Sequence, residues 1–199
     1  MCTFAHPVLF FSLHPPQRKD VSVWSTDDND SLQNNEDIVE AVVSEGVTTL
    51  FAVSEINPSW PGVFSHCSNL KFVTLPASLR EIGMYAFCSC EKLENVDIPS
   101  SVRTIGNHAF NGCRSLQSIV IPEGVVYLPH SVFCDCKSLK SAKLPSSLKT
   151  IEDYAFYNCV SLATINLDEF EGLIEVGIKP FFKCPVMKDV DFKHKHLQG

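Results

Sequence analysis

"CSNLKFVTLPASLREIGMYAFCSC", residues 67–90, decides the fold. Cysteine stands at both ends, 23 residues apart, and returns at the same interval at Cys113, Cys136 and Cys159. Between Cys67 and Cys90 the apolar residues are Leu70, Val73, Leu75, Leu79 and Ile82, and the stretch closes on Ala86-Phe87. The next interval repeats them as Leu93, Val96, Ile98, Val102, Ile105 and Ala109-Phe110. The third has Leu116, Ile119, Ile121, Val125, Leu128 and Val132-Phe133, and the fourth Leu139, Ala142, Leu144, Leu148, Ile151 and Ala155-Phe156. Pro76, Pro99, Pro122 and Pro145 follow the first apolar group in each unit. Self-similarity at such a period means stacked supersecondary units rather than one folded sheet or bundle.

The spacing within a unit predicts its local structure. In "FVTL" Val73 and Leu75 point one way, and Phe72 and Thr74 the other, which is a strand of period two. The following proline removes a ladder donor and ends it. "SLREIG" offers a second extended piece with Leu79 and Ile82 inward. Gly83 and Gly106 suit turns that need unusual dihedrals. "MYAF" and "NHAF" are long enough only for a helical or 3₁₀ turn. One such unit cannot bury its own apolar face. Stacked units share a core and pair equivalent strands in parallel at about 4.8 Å.

The outer units are degenerate, as the ends of a stack require. From Cys159 the pattern runs through Leu162, Ile165 and Leu167, gains residues near 168–173, and resumes at Leu173, Val176, Pro180-Phe181 and Cys184. A final half unit holds Met187, Val190 and Phe192. Upstream, Asn35 takes the cysteine slot, Ile38, Ala41, Val43, Val47 and Leu50 keep register, and an insertion near 51–61 precedes Val63-Phe64. The domain organisation is therefore an acidic, poorly ordered arm at 1–34, a repeat domain at 35–192 and a polar tail at 193–199.

Charge separates these parts. Of the net −7, residues 1–45 contribute −6, from eight acids and two bases. The repeat domain is nearly neutral and carries no basic stripe, which excludes nucleic acid as the expected partner. "MCTFAHPVLFFSL" has a short apolar run at Val8–Leu13, but it lacks a basic segment and Pro7 interrupts its approach, so a cleaved leader is not the expectation. No apolar run approaches the ~20 residues that span a bilayer.

The unit Cys-x-x-Leu-x-x-Val-x-Leu-Pro-x-Ser-Leu-x-x-Ile-Gly-x-x-Ala-Phe-x-x-Cys resembles the BspA-type leucine-rich repeat across about residues 35–192. The resemblance implies a repeat solenoid, mainly β, with a parallel concave sheet, that binds proteins and has no catalytic residues of its own.

Nine cysteines in the chain invite a chemical reading. Cys88-x-Cys90 and Cys134-x-Cys136 together carry four thiols, but they lie two units apart, roughly 10 Å at strand spacing. A zinc ion needs its four ligands within ~2.3 Å. Adjacent ladder cysteines keep their Cβ atoms near 4.8 Å, beyond the usual disulfide span of about 3.5–4.5 Å. Buried free thiols are the expectation, and Asn35 in the same slot fits what the resemblance implies, since related solenoids put Asn or Cys there to hydrogen-bond loop backbone. Such thiols favour a reducing, cytoplasmic compartment over the cell surface. His108 shares a column with Tyr85, Ser131 and Tyr154, and His130 lies one column away. Both read as stray surface histidines, and the terminal "KHKH" as a frayed tail. No phosphate-loop, dinucleotide, nucleophile-elbow or zinc-protease motif occurs.

What remains is surface. The outward strand residues form two columns: Phe72, Asn95, Ser118, Ser141, Thr164, and Thr74, Asp97, Val120, Lys143, Asn166. Phe72 and Val120 are apolar where most neighbours are polar, as anchors for a partner would be. Trp60, between Pro58 and Pro61, is either a lid on the first unit or a further anchor. The expected function is non-enzymatic protein–protein interaction through Phe72, Thr74, Asp97, Val120, Lys143 and Trp60, with no metal, cofactor, nucleic acid or membrane insertion. A surface adhesin of the same fold, or a thiol redox sensor at Cys88 or Cys134, is the alternative.

Overall fold

The computed structural model describes residues 10–12, 23–24, 36–50, 62–167 and 175–185. Two strands lie in the acidic segment, β1 (Phe10–Ser12) and β2 (Val23–Trp24). β2 pairs antiparallel with β1, and β1 with β3 (Glu40–Val43), through Phe10↔Trp24 and Phe11↔Val43. From β3 onward every pairing is parallel and joins equivalent positions of successive units.

Each unit contributes two short strands. The first column contains β3, β5 (Phe72–Thr74), β7 (Asn95–Val96), β9 (Ser118–Val120), β11 (Ser141–Lys143) and β13 (Thr164–Ile165). The second contains β4 (Thr49–Leu50), β6 (Glu81–Ile82), β8 (Thr104–Ile105), β10 (Tyr127–Leu128), β12 (Thr150–Ile151) and β14 (Glu175–Val176). The register is the one the 23-residue period predicts: Val73↔Val96, Ile119↔Ala142↔Ile165, Ile82↔Ile105 and Leu128↔Ile151. These residues are buried, and apart from Gly83 and Pro129 their chain neighbours are not; at the far end Val176 is only partly buried. Ile38, Ala41, Val47 and Leu50 are buried as well, so the degenerate first unit keeps register. Leu162, Phe181 and Cys184 do the same at the other end.

The segments "MYAF", "NHAF" and their equivalents are not helical. They are chains of β-turns that form a third inter-unit ladder. Amide donors alternate: Ala86, Cys88 and Cys90 donate back to Gly83, Tyr85 and Phe87 within the unit, whereas Tyr85, Phe87 and Ser89 donate onward to Asn107, Ala109 and Asn111 of the next. A helix would spend every amide on its own chain. Alternation lets half of them tie unit to unit, which a stack requires. The geometry places two residues per unit at positive φ: Tyr85 and Ser89, His108 and Gly112, Ser131 and Asp135, Tyr154 and Asn158. Gly83 and Gly106, expected to supply unusual dihedrals, are not among them. Gly106 serves close approach instead, since a Cβ there would overlap the backbone of Gly83 and Met84.

The core is a ring stack. Phe64, Phe87, Phe110, Phe133, Phe156 and Phe181 follow one another at 5.2, 5.3, 5.4, 5.2 and 5.4 Å between centroids, tilted by 7–19°. The five from Phe64 to Phe156 are fully buried. The small residue before each Phe leaves room for the ring, and Leu and Ile side chains from both strands close around it.

A serine rung ties successive units near the second strand. The hydroxyls of Ser78, Ser101 and Ser147 donate to the carbonyls of Val47, Leu79 and Val125. Gly124 occupies this slot in the third unit, at φ +94°. The bereft carbonyl of Val102 accepts instead from Arg103 Nη1 at 2.9 Å, and the same nitrogen reaches Ser100 O at 2.7 Å and Glu123 O at 3.4 Å. The guanidinium arm occupies the space a side chain on Gly124 would need. At this interface both strand columns also break: the pairings run β3-β5-β7 then β9-β11-β13, and β4-β6-β8 then β10-β12-β14.

Candidate functional site

The cysteines have a structural use. Cys90, Cys113, Cys136, Cys159 and Cys184 each point inward and donate Sγ–H to the carbonyl of Phe64, Phe87, Phe110, Phe133 and Phe156, at 3.0–3.2 Å. Each thiol thus completes a buried backbone acceptor in the preceding unit, which a purely apolar side chain of that size cannot do. Burial pushes the Cys90, Cys113 and Cys136 thiols well up from the ordinary value. Cys88 and Cys134 are half-buried beside Ser89 and Asp135 rather than facing Cys90 and Cys136. Burial raises Cys88, while burial and the Asp135 carboxylate raise Cys134 to about 12. Among the described residues no three His, Cys, Asp or Glu side chains converge as metal ligands do.

The outward columns lie where the period puts them. Phe72 is flanked in register by Glu40 and Asn95, and Val120 by Lys143. Phe72 is 46% exposed and Val120 58%. Thr74, Asp97 and Lys143 are exposed, as are Asn95, Ser118 and Thr164. Asn166 is tied down at the end of its column, bonding both the N–H and the carbonyl of Leu144 at 2.8 and 3.1 Å. The inter-unit break divides the group, leaving Phe72, Thr74 and Asp97 on one block of strands and Val120 and Lys143 on the other. Trp60 lies outside the described residues.

The histidines are not strays. Tyr85 stacks on His108 at 4.8 Å and 5°. His130 packs edge-on against His108 at 5.2 Å and against Tyr154 at 5.6 Å. Ser131 holds the ring position of the third unit in sequence and is buried. His130, one residue earlier, supplies the ring in its place. A second, shorter run continues from Tyr154 to Tyr157 and Phe182, with Lys179 and Lys183 5.5 and 5.8 Å from the Phe182 ring centre. Beside the first run lies a shallow cavity of 260 Å³ lined by His130, Thr150, Ile151, Glu152, Asp153, Glu175 and Gly177. Two of its three carboxylates are already engaged: Glu152 accepts the His130 amide at 2.9 Å and Asp153 the Ile178 amide at 2.6 Å. The sequence signal for this ridge was an aromatic residue recurring every 23 positions, displaced by one in the third unit.

With two parallel strand columns, a turn ladder and a 23-residue register in place, the chain can be set beside known proteins. The family model described as BspA-type leucine-rich repeat region matches residues 61–196 in six copies. The chain belongs to the BspA-type leucine-rich repeat family. The T. pallidum leucine-rich repeat protein shares the fold at a TM-score of 0.61 and 22% identity, over 82% of this chain and 94% of its own. A leucine-rich repeat protein of Bacteroides ovatus matches at a TM-score of 0.56 and 27% identity over 77% of this chain, which spans 43% of that protein. No curated protein matches at the level of sequence. Leucine-rich repeat proteins are in general non-enzymatic binding modules, and this chain presents the same kind of extended repeat surface. Among the described residues no helix is long and apolar enough to cross a membrane.

Proposed function

We propose that this chain is a non-enzymatic protein-interaction module that takes a protein partner on the outward face of its first strand column, at Phe72, Thr74, Asp97, Val120 and Lys143. The observation that carries the reading is the exposure of Phe72 and Val120 on a strand face whose other residues are, apart from half-buried Val42, small or polar. Exposed apolar side chains on a rigid sheet cost the free protein solvation and bring no packing in return, and partners bury such side chains at the centre of interfaces. Asp97 and Lys143 beside them supply opposite charges that orient an incoming surface. A thiol-redox role gains no support. Cys88 and Cys134 both hold their protons more tightly than a free thiol does, the reverse of what a reactive cysteine needs.

The test is capture of a partner by the intact chain and by surface variants. Phe72→Ser, Val120→Asp and the double reversal Asp97→Lys/Lys143→Glu are expected to lower capture while leaving thermal stability unchanged, because none of these side chains packs in the core. Removal of residues 1–34 is expected to leave capture in place. Capture that survives the strand-face substitutions and disappears with residues 1–34 refutes the assignment.

A further inference from the structure

We propose that the contact between His108 and His130 is an acid-sensitive joint in the middle of the solenoid, loosening the stack between the unit of β7 and β8 and the unit of β9 and β10.

Three independent features meet at this one interface. Both strand columns are interrupted here and at no other interface between β3 and β14. The serine rung is missing here, replaced by Gly124 and the Arg103 bridge. The titratable ring pair is also here, at 5.2 Å. With the strand pairing reduced to scattered bonds such as Gln117 N–H to Glu94 O at 3.1 Å, the turn ladder holds the joint. Its donors are the amides of His108, Phe110 and Gly112, bonding the carbonyls of His130, Val132 and Cys134 at 2.8–3.0 Å. One of those bonds runs from the backbone of one histidine to the backbone of the other, so movement of the rings is transmitted directly to it.

The charges around the pair are few. His108 faces Tyr85 from the preceding unit and His130 from the following one. His130 packs on Tyr154 and lines one cavity with the carboxylates of Glu152, Asp153 and Glu175, of which Glu152 accepts its backbone amide at 2.9 Å. Burial and the neighbouring His130 hold His108 below the ordinary histidine value of about 6.5. Its folded form therefore binds fewer protons than its unfolded form in mildly acid solution. The stability it contributes is complete above about 6.5 and is lost as pH falls through that value toward its lowered one. The ring that resists charging is thus His108, held against His130 at 5.2 Å across the joint.

The experiment is native-state hydrogen exchange on the full chain at about pH 7.5 and about pH 5, with intrinsic rates corrected. The joint amides of His108, Phe110 and Gly112 are compared with their equivalents one unit earlier (Tyr85, Phe87, Ser89) and one unit later (Ser131, Phe133, Asp135). Protection at the joint is expected to fall by at least about fourfold more than at its neighbours, the repulsion of two unit charges at 5.2 Å screened as in water. His130→Tyr, which keeps a ring in the stack, and His108→Asn, which tolerates positive φ, are each expected to remove the excess. Equal acid sensitivity at all three interfaces overturns the proposal. So does an excess that persists in both variants. If a variant fails to fold, the comparison among the three interfaces of the unaltered chain still decides. No partner is needed, so the outcome is independent of the strand-face assignment.

Discussion

Truncating Phe133 to alanine is the most direct test of the register. Phe133 is fully buried, and its ring lies between those of Phe110 at 5.4 Å and Phe156 at 5.2 Å. Its carbonyl accepts from both the Cys136 amide at 3.3 Å and the Cys159 thiol at 3.0 Å. A Phe→Ala change in a packed core costs about 3–5 kcal/mol, from lost transfer energy and the cavity left behind. Here collapse of the cavity is opposed from both sides, because the flanking rings are themselves held at the ladder spacing. The upper half of that range is therefore expected. Phe133→Leu keeps much of the volume but loses two ring–ring contacts worth about 0.5–1.5 kcal/mol each, so a loss of roughly 1–3 kcal/mol is expected. Urea denaturation measures both, and an unchanged slope confirms that only stability has moved. In a chain of this size, each kcal/mol corresponds to about 2–4 °C, so Phe133→Ala should melt roughly 8–20 °C lower. The same truncation at Phe64, in the degenerate first unit, should cost less, since repeat stability is a sum over neighbouring units. A midpoint for Phe133→Ala within about 1 kcal/mol of the unaltered chain would refute the register.

Three further outcomes follow from the same geometry. Cys136→Ala leaves the carbonyl of Phe110 without its thiol donor and should lose about 1–2 kcal/mol in the urea midpoint, whereas Val120→Ala on the open face should lose under about 0.5. Alkylation of Cys134 at about pH 8 should run far slower than that of a free thiol, rising only as pH approaches the value near 12 set by burial and Asp135. Mass spectrometry after timed quenching reads this directly. Gly124→Ser should lose stability by at least about 1 kcal/mol although it restores the serine of the repeat, because φ is +94° and a Cβ would stand 2.9 Å from Arg103 Cδ. Gly124→Ser combined with Arg103→Ala should recover part of that loss, as a thermal melt can show.

The inward half of each unit was legible because packing imposes the same demand every 23 residues. Val73 meets Val96 across strands, and Ile119, Ala142 and Ile165 meet one another, so all must be apolar. Phe87, Phe110, Phe133 and Phe156 stack ring on ring and cannot be exchanged singly. The turns were not legible as such. Short apolar segments like "MYAF" look alike as helical turns and as β-turn chains, and positive φ is signalled by glycine or asparagine, not by Tyr85, His108 or Tyr154. The clue stood four residues later, in the column Ser89, Gly112, Asp135 and Asn158. Gly, Asp and Asn there are residues that tolerate the left-handed region. The cysteine column was half legible: its burial follows from the period, while the carbonyl that needs its hydrogen is visible only once the turns are built.

The site obeys the opposite rule. Outward positions meet no neighbour that dictates them, so Phe72, Asn95, Ser118, Ser141 and Thr164 range from aromatic to small and polar, while Val73, Val96, Ile119, Ala142 and Ile165 beside them all stay apolar. Freedom from packing is what lets a column carry recognition, and it also erases the periodic signal that made the core readable. The ridge of Tyr85, His108, His130 and Tyr154 is an intermediate case. Its rings are half-buried and constrain one another, so the third unit, which places Ser131 in the ring column, draws His130 from the adjacent position to keep the stack continuous. That substitution puts two titratable rings in contact at the one interface where strand pairing and the serine rung both lapse. Phe72 and Asp97 stand on one side of that interface, and Val120 and Lys143 on the other. Any change in how the two blocks sit against each other must therefore change the spacing of the proposed anchors. A partner that bridges them would hold the blocks together, and by linkage would raise hydrogen-exchange protection at His108, Phe110 and Gly112 more than at the neighbouring interfaces.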